Sequence, residues 1–248
     1  MIFDAHLHLS SWRGEGRRSP DLVGGLVISR AASENERYIQ AAERLGLQCA
    51  VFAGGTKRDL EQVLRWIEQG QAFAYDHVEL LERFAARDVY PTFEASRRAG
   101  RALVLHLSRH DRGRTSPGLV RGCLDYLTEN FPELKVIIAH VAGENCRTAL
   151  EFAEWNQNLF FDVSKLAQTS ERLGVSSPVD LLKALSDAVP ASRIVFGTDQ
   201  IGLCGSASSV EYAAVAEVFT EADSVRVLAH NAMALFGAHR PPLAEAEP

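Results

Sequence analysis

The chain begins with an apolar run that carries two histidines, His6 and His8, two positions apart. Side chains on a β-strand alternate between its two faces, so these imidazoles would point the same way while Leu7 and Leu9 point the other way. Imidazole is the commonest neutral metal ligand, and two imidazoles side by side can bind one ion. A metal site would need further ligands, because polar residues at a strand end are also common without one.

Three other strand-like runs end in a side chain that can bind a metal or act beside it, and these side chains are His106, His140 and Asp199. In a parallel barrel all strands open on one face, so residues far apart in the sequence converge there. Taken singly, each of these histidines could equally be a hydrogen-bonded residue of the core. The aspartate, taken singly, could equally be the cap of the next helix. Taken together with His6 and His8, they form a donor set that suits zinc, and also manganese or iron.

Short β-branched or leucine-rich runs alternate along the chain with amphipathic segments, which predicts repeated β-α units around a parallel sheet. We predict eight strands, at residues 1–8, 25–29, 47–53, 72–78, 102–107, 135–140, 158–164 and 193–198. The fourth of them interrupts a long helical pattern. Only residues 10–24 separate the first two strands, and 12–20 have the composition of a loop, so the first helix should be missing or vestigial.

Capping residues predict the starts of three helices. Ser33 stands three residues before Glu36, which is the spacing of a capping box. Ser116 and Ser177 are each followed by a proline, a residue favoured at the first position of a helix. We therefore expect helices to begin beside each of these three serines.

Composition and charge restrict the domain organisation and the classes of partner. With 248 residues and 46% hydrophobic content, we expect one barrel domain over 1–238 and a frayed tail over 239–248. The formal charge of -6 gives no basic surface for nucleic acid or an anionic membrane. We therefore expect a small-molecule substrate and no nucleic-acid or membrane partner, while a homo-oligomer is left open.

The cysteines and the first residues predict the compartment. The four cysteines include no closely spaced pair, so neither a disulfide framework nor a thiolate zinc site is indicated. The N-terminus lacks a basic leader followed by an apolar segment, and no run approaches the ~20 apolar residues of a membrane span. We therefore expect a cytoplasmic protein.

The order and surroundings of these residues resemble the amidohydrolase superfamily, in particular the amidohydrolase-related branch that includes aminocarboxymuconate-semialdehyde decarboxylase. The motifs are IFDAHLH at 2–8, VLH at 104–106, IAHVAG at 138–143, FFDVS at 160–164, FGTD at 196–199 and NAMALFG at 231–237. The resemblance implies a distorted TIM-like (β/α)8 barrel with a divalent metal, most simply zinc, bound by His6, His8, His106 and Asp199. It also implies that His140 polarises or orients the substrate.

The chain departs from the superfamily at the fourth strand. Many members bridge two metals there with a lysine or glutamate, but this sequence has no lysine between Lys57 and Lys135. Glu79 is the nearest carboxylate, and the pattern around it predicts a helix face. We therefore expect a single metal ion.

A metal bound by three imidazoles and one carboxylate keeps positive charge and can acidify water from a pKa of ~15.7 toward ~7. With Asp199 as proton acceptor and His140 beside the carbonyl, the site would hydrolyse an amide, lactone or ester. Alternatively, the metal would chelate a carboxylate or phenolate while Asp199 protonates a ring carbon and carbon dioxide departs. A metal-dependent deoxyribonuclease and a catalytically silent binding barrel are further hypotheses, although the acidic composition argues against the nuclease.

Residues that follow the strands are candidates for binding the substrate. Arg109 begins a basic segment after the fifth strand that could bind a carboxylate. Trp12 after the first strand and Arg30 after the second are also predicted to contact the substrate, and Lys165 after the seventh is a further candidate. Asp162 is expected inside the barrel, either hydrogen-bonded to a ligand histidine or catalytic.

Overall fold

The computed structural model describes residues 1–9, 21–53, 57–77, 86–108, 116–201 and 209–237. In this part of the chain, parallel strands pair with their neighbours in chain order and form a nearly closed (β/α)8 barrel of the TIM type. The predicted fold class is therefore confirmed.

All eight predicted strands are present, including the fourth. The second begins at Leu22, before the predicted range of 25–29, and the sixth and eighth end before the predicted residues 140 and 198. A short ninth strand was not predicted. The strands are β1 Ile2–His8, β2 Leu22–Ile28, β3 Gln48–Phe52, β4 Phe73–His77, β5 Leu103–His106, β6 Val136–Ile138, β7 Leu159–Asp162, β8 Ile194–Val195 and the short β9 Gln200–Ile201. Strands of a parallel barrel are covered on both faces, which explains why they are continuous apolar runs.

Helices cover the outside of the sheet. They are α1 Asn35–Leu45, α2 Lys57–Glu68, α3 Ala86–Arg98, α4 Pro117–Asn130, α5 Cys146–Trp155, α6 Leu166–Leu173, α7 Pro178–Ala188, α8 Val210–Val218, α9 Glu221–Val225 and α10 Asn231–Phe236. Short 3₁₀ turns occur at Ala32–Glu34, Ala139–Asn145 and Ala191–Arg193, and a π turn at Arg226–His230 joins α9 to α10. No helix in the described ranges is long and apolar enough to cross a bilayer.

Two of the three predicted helix starts are confirmed. Ser177 caps α7 by accepting a hydrogen bond from the Asp180 amide, and Ser116 occupies the cap position of α4 without a side-chain hydrogen bond. The predicted capping box at Ser33 is wrong. The chain enters α1 through a 3₁₀ turn, so the residue before the helix, Glu34, already has a helical backbone. A capping side chain needs an extended backbone at that position.

Two layers of apolar side chains position the polar side chains of the candidate site. The barrel interior is filled by residues such as Leu26, Phe73 and Val104, while a second layer, which includes Leu105 and Phe161, packs between strands and helices. Because side chains alternate along a strand, His106 shares the inward face of β5 with Val104. The inward face of a strand therefore changes from apolar to polar toward its carboxyl end.

The barrel closes through a strand that is interrupted in the middle. β8 pairs with β7, whereas β9 pairs with β1. Between them, the amide of Ala5 donates to the Phe196 carbonyl at 2.8 Å, and the amide of Asp199 donates to the His6 carbonyl at 2.8 Å. The interruption thus lies where a predicted metal ligand is found.

Three predictions fall outside the described ranges. They concern the missing first helix at 10–20, the helix face around Glu79 and the tail at 239–248. The single-domain boundary at residue 238 stays a prediction for the same reason.

Gly24 on β2 allows close packing of the first two strands, and Gly24→Ala should destabilise the barrel. An added Cβ would lie 2.6 Å from two ring carbons of Phe3, and that ring is stacked on Phe236 with centroids 5.8 Å apart. We expect urea denaturation to show a loss of about 1–3 kcal/mol in the free energy of unfolding.

The matched control is Gly122→Ala on the exposed surface of α4, where an added Cβ meets nothing within 4 Å. Alanine is the better helix former, so this variant should gain about 0.5–1 kcal/mol. Changes of the same sign and size at both glycines would contradict the packing explanation for Gly24.

Candidate metal centre

His6 on β1 presents a nitrogen lone pair to the carboxyl end of the barrel. Its Nδ1 lies 2.6 Å from Asp162 Oδ2, and a carboxylate oxygen accepts, so Nδ1–H is the donor. In the neutral ring, Nε2 then carries the lone pair. Nε2 is buried and makes no hydrogen bond with any residue that the structure describes. Such an atom is costly to bury unless it is bound to something.

His8 is oriented in the same way. Its Nδ1 donates to the carbonyl of Ile28 at 2.9 Å, which leaves the Nε2 lone pair directed at the centre. Nε2 lies 2.8 Å from Asp199 Oδ1. The first strand therefore contributes two imidazoles whose tautomers are set by acceptors outside the centre.

A serine fixes the tautomer of His140. Ser164 Oγ donates its single proton to Asp162 Oδ2 at 2.8 Å, so it can only accept at its contact of 2.7 Å with His140 Nδ1. His140 Nδ1 is then the donor, and in the neutral ring Nε2 carries the lone pair. Nε2 lies 3.8 Å from Asp199 Oδ2.

Asp162 on β7 is the common acceptor of this network. Besides the His6 ring and the Ser164 hydroxyl, it accepts the Ser164 amide at Oδ1, 2.7 Å away. The residue beside it in the segment after β8 has to be a glycine, because a Cβ on Gly197 would lie 2.5 Å from Asp162 Oδ1 and 2.8 Å from His6 Cβ. The absence of a side chain at Gly197 therefore allows the hydrogen bond of Asp162 with His6.

His106 lies next to His140 on the same face. The two rings are edge to face with centroids 5.0 Å apart, and Ser108 Oγ lies 3.4 Å from His106 Nε2. Tyr75 on β4 contacts the rings of His6 and His106 edge-on, with centroid distances of 6.3 and 6.5 Å. The fourth strand thus contributes an aromatic ring to the centre.

Asp199 is placed by the interruption of the last strand. Its backbone has φ of 54°, a left-handed conformation, and its amide is bonded to the His6 carbonyl. The carboxylate contacts His8 through Oδ1 and the Lys165 ammonium through Oδ2. Among the predicted residues, Asp199 and the histidines are therefore brought together, and Lys165 joins them.

Backbone strain is concentrated around the centre. The non-glycine residues with positive φ in the described part of the chain are His140, Val141, Ala142, Lys165 and Asp199. A left-handed backbone costs roughly 1–2 kcal/mol per L-residue, and strain of this kind clusters at functional sites. The segments that carry His140, Lys165 and Asp199 are therefore held in place by the rest of the fold against their local preference.

Asp4 supports the centre from one layer deeper in the barrel. Its carboxylate accepts from the amides of His6 and Thr198, each at 3.1 Å, and from the Thr198 hydroxyl at 2.7 Å. Burial raises the pKa of Asp4 to about 7, although these hydrogen bonds lower it. Asp4 thereby joins β1 to the segment that carries Asp199.

The surroundings keep Asp199 ionised and His140 neutral. Burial alone would raise the pKa of Asp199, but the contact with the His8 ring and the neighbouring His6, His140 and Lys165 outweigh it and lower that pKa. Burial, together with the adjacent His6, lowers the pKa of His140 well below its usual value. The pKa of His8 is also lowered by burial.

His6 differs from these two histidines because of its carboxylate partner. Burial disfavours its charged form, but the attraction of Asp162 outweighs burial and raises the pKa of His6. A carboxylate bonded to the far nitrogen of a histidine increases the basicity of the near one, which is how metal-binding histidines are commonly supported.

These donors fit a divalent metal ion. One ligand atom from each of His6, His140 and Asp199 lies within 4.8 Å of the others, and His8 Nε2 is a further donor beside Asp199. An ion would satisfy the buried His6 Nε2, which otherwise has no described partner. Imidazole nitrogens with one carboxylate oxygen are the donors that zinc, manganese and iron accept.

A cavity of about 150 Å³ adjoins the centre. Its described walls are His106, Ser108, His140, Gly143, Lys165, Gln168, Thr169 and Arg172. Of the predicted substrate contacts, Trp12 and Arg109 lie outside the described residues. Arg30 is exposed after β2 and is absent from these walls, although its charge opposes the increase that burial causes in the pKa of Tyr75.

Sequence reasoning missed several residues of the site. The bond of Ser164 to His140, the Thr198 contact with Asp4 and the α6 side chains after Lys165 were not predicted. Period-two alternation on β7 gives a signal for Ser164, since it follows Asp162 by two positions on the same face. No local pattern marks Thr198 or the orientation of α6, because both depend on contacts between distant segments.

Comparison with protein families finds that the amidohydrolase model matches residues 60–238. No curated protein matches the chain. The solved structures with a similar fold include an uncharacterized TIM-barrel protein from Bordetella bronchiseptica, with a TM-score of 0.68, 14% identity, and 96% of this chain and 99% of that chain covered.

Two enzymes are also similar in fold. L-hydantoinase (dihydropyrimidinase) from Arthrobacter aurescens has a TM-score of 0.63 and 13% identity, with 95% of this chain and 70% of that chain covered. Dihydroorotase from Campylobacter jejuni has a TM-score of 0.61 and 14% identity, with 95% of this chain and 82% of that chain covered. At these identities the similarity establishes the barrel fold.

Ser164→Ala tests the hydrogen-bond network. The variant leaves the buried His140 Nδ1–H without its acceptor and removes one donor from Asp162, so we expect a loss of about 1–3 kcal/mol in the free energy of unfolding. Ser186→Ala is the control, since that hydroxyl bonds only to a carbonyl of its own helix, and its effect should stay within about 0.5 kcal/mol. Equal stability of the two variants would contradict the role of Ser164.

Proposed function

The chain belongs to the amidohydrolase family, and we propose that it is a metal-dependent hydrolase of a small carbonyl substrate, an amide, lactone or ester. The observation that carries the proposal is the convergence of imidazole nitrogens on Asp199, with His6 Nε2 buried and lacking a described hydrogen-bond partner. Hydrogen bonds on the far side of the rings direct the lone pairs of His6, His8 and His140 to one point.

We propose one divalent ion, most simply zinc, with manganese and iron as alternatives. We take its ligands to be His6, His8, His106 and Asp199, of which His106 follows from the family resemblance alone. The imidazole that the geometry groups with His6 and Asp199 is that of His140. The ion would supply Lewis acidity, which polarises a carbonyl group and makes water more acidic. The residues around it determine where the substrate lies and where protons go.

Asp199 is the proposed proton acceptor. Its pKa lies below the usual value, so it is ionised at neutral pH, and its two oxygens face different partners. Oδ1 faces His8, while Oδ2 faces Lys165 and His140, which line the cavity. The carboxylate can therefore accept a proton from the attacking water and transfer it toward the cavity.

His140 is the proposed second proton carrier. It is neutral at rest, and its Nε2 lone pair lies 3.8 Å from Asp199 Oδ2. Uptake of a proton at Nε2 would leave the Nδ1–H bond to Ser164 intact. Because burial disfavours the charged ring, the protonated His140 would be a strong acid that stabilises a developing oxyanion or protonates the leaving group.

The second candidate is a non-oxidative decarboxylase, the reaction of the branch that the sequence motifs resemble. The cationic side chains Lys165 and Arg172 on the cavity wall favour it, since they can bind a carboxylate beside the centre. In that reaction Asp199, which is ionised at rest, would first take a proton from a substrate hydroxyl or from water and then transfer it to the carbon from which carbon dioxide leaves. The deoxyribonuclease and the silent binding barrel are weaker hypotheses, and metal analysis tests the second of them directly.

Metal content separates the proposal from a silent barrel. The purified chain should contain about one equivalent of metal by elemental analysis, and His6→Ala or Asp199→Ala should remove it because each deletes a donor. His230→Ala is the control, since His230 is exposed and lies outside the centre. Full metal content in both ligand variants would rule out the proposed donor set.

Asp162→Asn tests the support of His6 without deleting a ligand. An amide in place of the carboxylate weakens the acceptor of the His6 Nδ1 proton, so metal affinity should fall roughly 10–100-fold. Competition with a chromogenic chelator measures the affinity. Asp180→Asn, at a surface helix cap, should leave it unchanged, and an unchanged affinity in Asp162→Asn would remove Asp162 from the mechanism.

A substrate panel distinguishes the two reactions. The metal-loaded protein is incubated with lactones and with hydroxybenzoates, and release of acid and of carbon dioxide is measured separately. The hydrolase proposal predicts acid release from lactones that is lost in Asp199→Ala. Carbon dioxide release without any hydrolysis would favour the decarboxylase instead.

A further inference from the structure

One face of α6 forms a wall of the cavity beside the metal centre. Gln168, Thr169 and Arg172 line the cavity, and their spacing of three and four residues places them on one side of the helix. Lys165, the residue just before α6, lines the cavity with them. The wall begins at the centre, because the Lys165 ammonium contacts Asp199 Oδ2. It continues along α6 from Gln168 to Arg172, about one helical turn, with a rise of about 6 Å.

The charge of this wall is not balanced within the cavity. Its described lining contains two cationic side chains, Lys165 and Arg172, and no carboxylate. Arg172 forms no ion pair among the residues that the structure describes, and the carboxylate facing Lys165 is Asp199, a proposed metal ligand. A divalent ion bound to Asp199 would add positive charge and compete with Lys165 for its partner. The chain as a whole is acidic, with a formal charge of -6, so its overall composition does not account for the two cations in this lining.

The position of Lys165 requires a strained backbone conformation. Its backbone is left-handed, with φ of 56°, and its side chain is only 35% exposed. The next residue, Leu166, donates its amide to the buried carboxylate of Glu211 at 3.2 Å, which anchors the first turn of α6. The position of Lys165 is therefore set by contacts on both sides of it.

We propose that the substrate is an anion, a small carboxylic acid whose carboxylate is bound by Lys165 and Arg172 while its reacting carbonyl faces His140 and Asp199. Gln168 would add a neutral hydrogen-bond donor between the two cations. A cavity of about 150 Å³ is smaller than the ~300–1,000 Å³ of pockets for drug-sized ligands, so a short acid fits it best. This inference rests on the proposed function for the identity of the reacting group.

The test compares a dianion with its neutral analogue on the full, metal-loaded chain. Dissociation constants for succinate and for succinamide are measured by titration calorimetry, and metal content is measured on the same samples. We expect succinate to bind at least about 10-fold more tightly than succinamide, because a charge-assisted hydrogen bond contributes more than a neutral one.

Substitutions of Lys165 and Arg172 test whether these two residues cause the preference for succinate. Lys165→Gln and Arg172→Gln should each weaken succinate binding roughly 10-fold, leave succinamide binding within about twofold and retain the metal. Lys183→Gln on α7 and Arg147→Gln on α5 are matched controls, because both side chains are exposed and outside the cavity, and they should change neither constant. Succinate binding that is unaffected by both wall substitutions, or no tighter than succinamide binding, would overturn the inference.

Failure of this inference differs from failure of the proposed function. A chain that contains metal and hydrolyses neutral esters, but binds succinate independently of Arg172 and Lys165, would refute the anionic substrate alone. A chain that binds succinate through these two residues but retains no metal would refute the proposed hydrolase and support the anion site.

Discussion

The buried hydrogen bond between the Asp162 carboxylate and His6 Nδ1 is the interaction on which the rest of the centre depends. A buried carboxylate requires donors, and Asp162 obtains them from the His6 ring and from the amide and hydroxyl of Ser164. By accepting those protons it leaves the far nitrogen of His6 as a lone pair, and through Ser164 it does the same for His140. One carboxylate therefore sets the protonation pattern of two rings, and Gly197 gives it the space to do so.

The centre is placed by the barrel against the local preference of its own backbone. Val141 has a branched side chain and is buried, yet it lies in a left-handed turn with φ of 53° that follows directly from β6. The hydrophobic contacts of the strands and helices stabilise such a turn, since nothing in the turn itself favours it. The apolar layers thus supply the stability of the fold, and the strained segments at the strand ends carry the residues of the candidate site.

The sequence allows prediction of the strands and of the histidines at their ends, because both follow from local periodicity and from the common polarity of parallel strands. It does not allow prediction of which partner orients each ring. The tautomer of His140 depends on Ser164, 24 positions away, and the direction of the Lys165 side chain depends on a left-handed backbone that no residue type there requires. At Ser33 a local pattern predicts a capping box that does not form, because the chain enters the helix through a 3₁₀ turn.

The interrupted last strand means that the two ends of the barrel meet along a seam with few backbone hydrogen bonds. His6 and His8 lie on one side of this seam, and Asp199 lies on the other. A ligand that bridges them closes the loop between positions 6 and 199, and its binding free energy adds to the stability of the closed barrel. Occupancy of the centre and closure of the barrel would therefore be thermodynamically linked, because a group bound there would join the first strand to the last.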